Sequence, residues 1–285
     1  MSDASAGTIL PFKRIFHPTD FSIDSHTALI HALKLAITTK AELSVMHVDP
    51  EVARADFEDF PRASPILKRW NLLPPDSTED HIAQSGLSLN KTRAVSKNPT
   101  DSLLQHLATH PADLLVMATH QYDGFERWQH QAVAEPVSRG SHTPTLFVPT
   151  HVNGFVAKET GEPVLRRVLI PVNEKPNPQI AIDMTAQLAL TLGCDRLSAL
   201  LVHVGDDRML RSLHYPMHMG VVWRTMICHG DTVDVILGMG ADFDVDLIVM
   251  TTEGHHSLLD MMRGSTTERV LRGAHCPLLA IPAPH

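Results

Sequence analysis

Two kinds of apolar pattern alternate along this chain. Short runs such as "RIFHP" from residue 14, "LSVMHV" from 43 and "DLLVM" from 113 are strand-length, bounded by breakers and apolar on both faces. Parallel strands covered by helices on both sides read this way. Between the runs, "SHTALIHALKLAITT" (25–39) and "PQIAIDMTAQLALTL" (178–192) space their apolar residues at three and four, as amphipathic helices do. After "DLIVM" at 246 come a glycine-containing loop, a helix predicted over about 265–273 and a last strand "PLLAI". The reading is a doubly wound α/β sandwich. In such sheets ligands bind beyond the carboxyl ends of the strands, where the strand order reverses. Both "HPTD" at 17 and the loop opening at Thr251 fall on that edge.

The pattern occurs twice. "RIFHPTDFS" (14–22) corresponds to "RVLIPVNEK" (167–175), and "AELSVMHV" (41–48) to "LSALLVHV" (197–204). "ADLLVMATH" (112–120) corresponds to "VDLIVMTTE" (245–253), and "TPTLFVP" (143–149) to "CPLLAIP" (276–282). From Asp113 to Pro144 is the same distance as from Asp246 to Pro277, so the last third of each half aligns without a gap. The first half carries an insertion that includes "DFEDFPRASPILKRWNLLPPDS". Two copies of one domain, 1–150 and 165–285, are the simplest account. The segment joining them, "THVNGFVAKETGEPVLR", is polar and holds Gly154, Gly161 and Pro163, as a linker should.

Composition narrows the classes. A chain of 285 residues suits two domains, and 43% hydrophobic with 20% charged residues is ordinary for a soluble globular protein. The net charge of -8 argues against nucleic-acid binding through a basic face. The N-terminus lacks the basic start and long apolar core of a signal peptide, and no apolar run approaches the roughly 18 residues needed to span a bilayer. Cys194, Cys228 and Cys276 are odd in number and scattered, which fits reduced thiols. The expectation is a soluble cytoplasmic protein that binds neither nucleic acid nor membrane.

The strand followed by "PTDFS", the "HV" ending the second strand, "DLIVM" and "GSTTERVLRGAHCPLLAIP" together resemble the universal stress protein family, as a tandem two-domain member. The resemblance covers almost the whole chain and is weakest over 50–100 and 205–228. It implies two doubly wound five-stranded parallel-sheet domains of the adenine nucleotide alpha hydrolase-like fold, paired through their last strands. It also implies that some members bind ATP, with Mg as its companion ion, and others do not.

In the ATP-binding members the phosphate loop reads Gly, two residues, Gly, nine residues, Gly, then Ser or Thr. In the second domain those positions are Thr251, Gly254, Gly264 and Ser265. Gly264, Ser265, Thr266 and Thr267 open a helix, where unpaired backbone N–H groups and the dipole attract phosphate. "STTE" is equally a capping box, Ser265 with Glu268, which needs no ligand. Thr251 replaces the first glycine, and its branched side chain could occupy ribose or phosphate space. Asn173 replaces the aspartate of "PTD", while Pro171, Val204 and Met250 match the adenine and ribose side. The first domain keeps Pro18, Thr19, Asp20 and Val48 but has Ala118, Gln121, Gln131 and Ala132 at the glycine and serine positions. Gly124 is out of register by three, and Arg127, Trp128 and His130 add bulk. No nucleotide is expected there.

Nineteen histidines invite a metal reading. His214 and His218 are four apart, but Pro216 between them opposes a helical turn, and His255 and His256 merely follow Gly254. No HExxH or Cys-His finger spacing occurs. His47 and His203 end the second strand of each copy, which points to a hydrogen-bonding or packing role shared by the fold. Neither an HxGH element nor a GxSxG elbow is present, so at most slow ATP hydrolysis is expected. The leading reading is a ligand-responsive stress factor with one ATP-type site in the second domain. Its rivals are an interaction scaffold without nucleotide and a histidine-based binder of metal or another small ligand. Dimerisation into a homodimer stays open.

Overall fold

The computed structural model describes residues 12–49, 60–119, 133–206, 209–217, 220–253 and 265–284. The first repeat runs β1 (Arg14–Pro18), α1 (Ile23–Thr39), β2 (Glu42–Asp49), α2 (Ala63–Arg69), a 3-10 turn (Glu79–Ser85), β3 (Ser88–Val95), α3 (Pro99–Thr109), β4 (Leu114–Thr119), α4 (Ala134–Ser141) and β5 (Thr145–Pro149). The second runs β6 (Arg167–Pro171), α5 (Gln179–Thr191), β7 (Leu197–Val204), a 3-10 turn (Leu210–Ser212), β8 (Val221–Cys228), α6 (Thr232–Asp242), β9 (Leu247–Thr252), α7 (Thr266–Gly273) and β10 (Leu278–Pro282).

All ten strands form one sheet in the order β3-β2-β1-β4-β5-β10-β9-β6-β7-β8. Each half is parallel, and the halves meet where β5 and β10 pair antiparallel, Leu279 opposite Leu146. The pairing of last strands expected from the resemblance is thus present. The strand order reverses between β1 and β4 and again between β6 and β9, which makes two switch points.

Local signals explain the elements. β5 is buried at every position, as a strand covered on both faces must be. Ser22 Oγ accepts from Ser25 N–H to start α1, Asn98 caps α3 ahead of Pro99, and Asp231 accepts from Val233 and Asp234 N–H to start α6. One device recurs in both repeats. Asp113 Oδ2 accepts from the N–H groups of Lys13 and Arg14, each at 2.9 Å, and Asp246 Oδ2 from those of Arg166 (2.8 Å) and Arg167 (2.7 Å). The aspartate before each switch strand therefore closes the start of the neighbouring first strand.

One apolar cluster runs across the sheet under α1, α2 and α5, from Leu33 and Leu67 in the first repeat to Ile182, Val249 and Ile281 in the second. On the opposite face there are two clusters, Phe16, Leu103 and Val137 in one and Leu169, Ile236 and Val270 in the other, and Phe147 of β5 joins the second across the β5–β10 seam.

The joining segment departs from the linker expected. Phe155, Val156 and Leu165 are buried in the shared cluster, and Val156 bridges to Pro163. Phe155 N–H donates to His31 Nε2 at 3.0 Å, and Trp70 Nε1–H donates to the Lys158 carbonyl at 3.1 Å. Gly154 (φ 71) and Gly161 (φ 70) pass so close to the rings of His31 and Trp70 that a Cβ would collide with them. Three apolar side chains among many polar ones are enough to seat this strap, because α1 and α2 offer a matching groove. The strap belongs by contact to the first repeat.

Candidate functional site

At the second switch point the ends of β6, β7 and β9 lie side by side, with Pro171 opposite Val202 and Leu169 opposite Ile248. This brings Pro171, Asn173, Val204, Met250 and Thr251 to one edge. Asn173 is exposed, and its Oδ1 accepts from Glu174 N–H at 2.9 Å, so the amide shapes its own turn. Met250 packs in the same cluster as Val270 and Leu271 of α7. Alternation along β9 puts Thr251 on the other face, with Val249, so its side chain leaves the space before α7 clear. Thr251 is buried, and its Oγ1 has no hydrogen-bond partner among the described residues. Gly254 and Gly264 lie outside the described residues.

Ser265, Thr266 and Thr267 open α7 as the sequence suggests. Ser265 Oγ accepts from Glu268 N–H (3.2 Å) and Ser265 N–H donates to Glu268 Oε2 (3.3 Å), completing the capping box. The Glu268 carboxylate is paired with Arg139 of α4 and with Arg272 at 3.7 Å. The negative charge at the helix start is therefore offset by two guanidinium groups, one from each repeat.

The first switch point is built differently. Asp20 Oδ1 accepts from Ser22 N–H (3.0 Å) and Ser25 Oγ–H (2.5 Å), so this carboxylate organises the start of α1. Phe21, in a left-handed conformation (φ 64), stacks on His47 with centroids 3.8 Å apart, and Phe60 from the insertion meets its edge at 5.2 Å. Sequence reasoning missed this aromatic plug. The difference between Phe21 and its counterpart Glu174 is visible in the alignment, whereas the contribution of Phe60 depends on how the insertion folds back. Ala118 packs against the apolar cluster; Gln121, Gly124, Arg127, Trp128, His130, Gln131 and Ala132 lie outside the described residues.

His47 Nδ1–H donates to the Thr19 carbonyl (2.8 Å) and His203 Nδ1–H to the equivalent Val172 carbonyl (2.9 Å). Both tie the second strand to the loop leaving the first. His17, fully buried, donates from Nδ1 to the Val116 carbonyl (2.8 Å), and its Nε2 has no partner among the described residues. His31 Nδ1–H donates to the Thr27 carbonyl (2.8 Å) while Nε2 accepts from the strap. Burial lowers the pKa of each of these two rings to about 4, so both are neutral. Burial raises the Cys194 thiol to about 11 and the Cys276 thiol to about 12, far from the thiolate form that reactive cysteines need. Among the described residues no group of three or more His, Cys, Asp or Glu could hold a metal ion. His218, His255 and His256 lie outside them. No helix among the described residues is long and apolar enough to cross a membrane.

Comparison with known proteins adds an independent line. The model of the universal stress protein family matches residues 11–149 and 215–282. Universal stress protein MJ0531 of Methanocaldococcus jannaschii is 32% identical over 88 residues, 31% of this chain and 52% of that protein, so the match spans about half of the relative. Stress response protein NhaX of Bacillus subtilis is 25% identical over 160 residues, 47% of this chain and 96% of that protein. Among solved structures, a universal stress protein from Archaeoglobus fulgidus superposes with a TM-score of 0.65 at 18% identity, over 95% of this chain and 96% of that one. A functionally unknown protein from Pseudomonas aeruginosa gives 0.61 at 13% identity, over 96% and 93%. At such identities the structural likeness carries the fold.

Proposed function

The chain belongs to the universal stress protein family, and from that premise we propose that it is a stress factor responding to an ATP-type nucleotide held at the second switch point and not at the first. The observation that carries this reading is the buried Thr251 hydroxyl at the carboxyl end of the switch strand, without a hydrogen-bond partner among the described residues. Thr119 at the end of β4 shares that state, so the restriction to the second repeat rests on the glycine and serine positions of the sequence. Buried polar groups are nearly always hydrogen-bonded, and an orphan in a crevice calls for a ligand or water to satisfy it. Its place on the face away from α7 suits a sugar hydroxyl better than a phosphate. Phosphates would lie at the start of α7, with backbone N–H groups and the hydroxyls of Thr266 and Thr267 as donors. Glu268 does not repel them outright, because Arg139 and Arg272 offset its charge. Mg would arrive with the triphosphate, since position 173 offers an amide where a carboxylate ligand would stand. The division into domains 1–150 and 165–285 is part of the same proposal, with the strap between them as an accessory of the first.

A second reading, an interaction scaffold without nucleotide, is favoured by the completed capping box, which leaves α7 stable with no anion. Melting in the presence of ATP and Mg separates the two. A ligand present at about a hundred times its Kd stabilises the folded state by about 2.7 kcal/mol. We expect a matching rise in Tm that disappears in Gly264→Leu. No rise in the parent protein, or a rise unchanged in that variant, removes the assigned site.

A further inference from the structure

Beside the loop leaving β6 lies a cleft of about 500 Å³. Glu174, Asn177 and Pro178 from that loop and Gln179 at the start of α5 form one wall, and Met209 and Leu213 form the other. None of the described residues expected to hold a nucleotide lines it, and it adjoins that edge through Glu174, whose N–H donates to Asn173 Oδ1. Its size falls in the range of small-molecule sites, about 300–1,000 Å³.

The first repeat shows what such a cleft lacks. Pro18 aligns with Pro171, and the equivalent bonds of His47 to Thr19 and His203 to Val172 fix the equivalence in space. Further along the same loop, the first repeat has Phe21 and the second has Glu174. In the first repeat the half-buried Phe21 ring lies on His47 with Phe60 from the long connection at 50–87 at its edge, whereas in the second Glu174 stands at that point of the loop and lines the cleft. The second repeat makes the same connection with 205–220 only, and Met209, Ser212 and Leu213 of it line the cleft.

The walls define what would fit. Met209, Leu213 and Pro178 offer apolar surface for a flat ring. The Gln179 amide is already engaged, donating to Asp183 (2.9 Å) and to the His214 carbonyl (2.8 Å) while accepting from His214 N–H (3.0 Å). It therefore fixes the far wall and does not recognise a ligand. Asn177 Oδ1 accepts from Gln179 N–H, and Ser212 Oγ–H donates to the Met209 carbonyl. The one charged side chain among the described lining residues is the exposed Glu174 carboxylate, on a chain of net charge -8. We propose that this cleft is a second binding site, for a small organic cation that carries an aromatic ring next to an amine, the ring packing against Met209 and Leu213 and the ammonium pairing with Glu174.

Benzylamine is the probe that tests this. Titrated into the full-length, isotope-labelled protein, it should give saturable amide shifts confined to 174–179 and 209–213. Glu174→Gln, which keeps the shape and removes the charge, should weaken binding about tenfold, the loss expected of a charge-assisted hydrogen bond. Glu174→Phe, which puts bulk at the mouth, should abolish it while leaving the ATP-dependent rise in Tm unchanged. Failure of the nucleotide reading alone would remove that rise and leave the benzylamine shifts. Absence of saturable shifts in the parent protein, or equal binding by Glu174→Gln and Glu174→Phe, overturns the proposal.

Discussion

The two repeats share a strand order, a sealing aspartate before the switch strand and a histidine that ties the second strand to the first loop, yet they treat their carboxyl edges in opposite ways. The first covers part of its edge with half-buried side chains. Its aspartate organises α1, an aromatic pair covers the histidine, and α2 and the strap add a further layer. The second keeps a cleft and a capped helix start near the same edge, whereas a buried hydroxyl with no partner among the described residues lies at the carboxyl end of the switch strand in both repeats, Thr119 in one and Thr251 in the other. The lesson under the proposed function is that duplication would let one copy serve stability while its partner keeps the openings a ligand needs.

The strap provides the largest way to break this contrast. Phe155 is 1% exposed and lies edge-on to His31 at 4.6 Å. Phe155→Ala should cost about 3–5 kcal/mol, the usual loss for emptying a buried phenylalanine site. Hydrogen exchange should show the loss concentrated in α1 and α2. A plain linker would lose almost nothing, and denaturant titration decides between the two.

Acid provides the next. His17 and His31 are neutral in the folded protein, with pKa lowered to about 4 from 6.5. Between those values the unfolded chain binds protons that the folded chain refuses. Stability is therefore fully present above pH 6.5 and falls as pH drops toward 4, by about 3 kcal/mol for each ring. Both rings lie in the first repeat, and the second has Ile170 at the position of His17. His17→Ile should flatten about half of this loss, as read by Tm across that pH range. An unchanged slope would mean that His17 is not a source of the acid sensitivity.

The smallest effect concerns the coupling between repeats. The Arg139 side chain is 57% exposed where it meets Glu268. Arg139→Ala should cost less than about 1 kcal/mol, and high salt should erase even that. A larger, salt-independent loss would show that the halves depend on this pair and not on β5–β10 and the shared cluster.

Much of this organisation can be read from the chain. Repetition of "DLLVM" and "DLIVM" locates both switch strands, "STTE" announces the cap of α7, and the paired "HV" endings point to the tether made by His47 and His203. Each of these depends on neighbours close in sequence or on a pattern present twice. The strap is not legible, because Phe155, Val156 and Leu165 follow no period and their groove is made by the distant α1 and α2. Phe60 is hidden for the same reason: an insertion has no second copy to compare with. For the candidate site, the strand-end residues are legible by register. The facing of Thr251 away from α7 comes only from β9's place between two different clusters.

Isothermal titration of the full-length protein with ATP and Mg tests the central claim most directly. The account predicts one nucleotide per chain, with heat lost in Gly264→Leu and preserved when Phe21 is changed to alanine. Two nucleotides per chain, or binding that survives at Gly264→Leu, would contradict the claim that only the second repeat has kept its edge open.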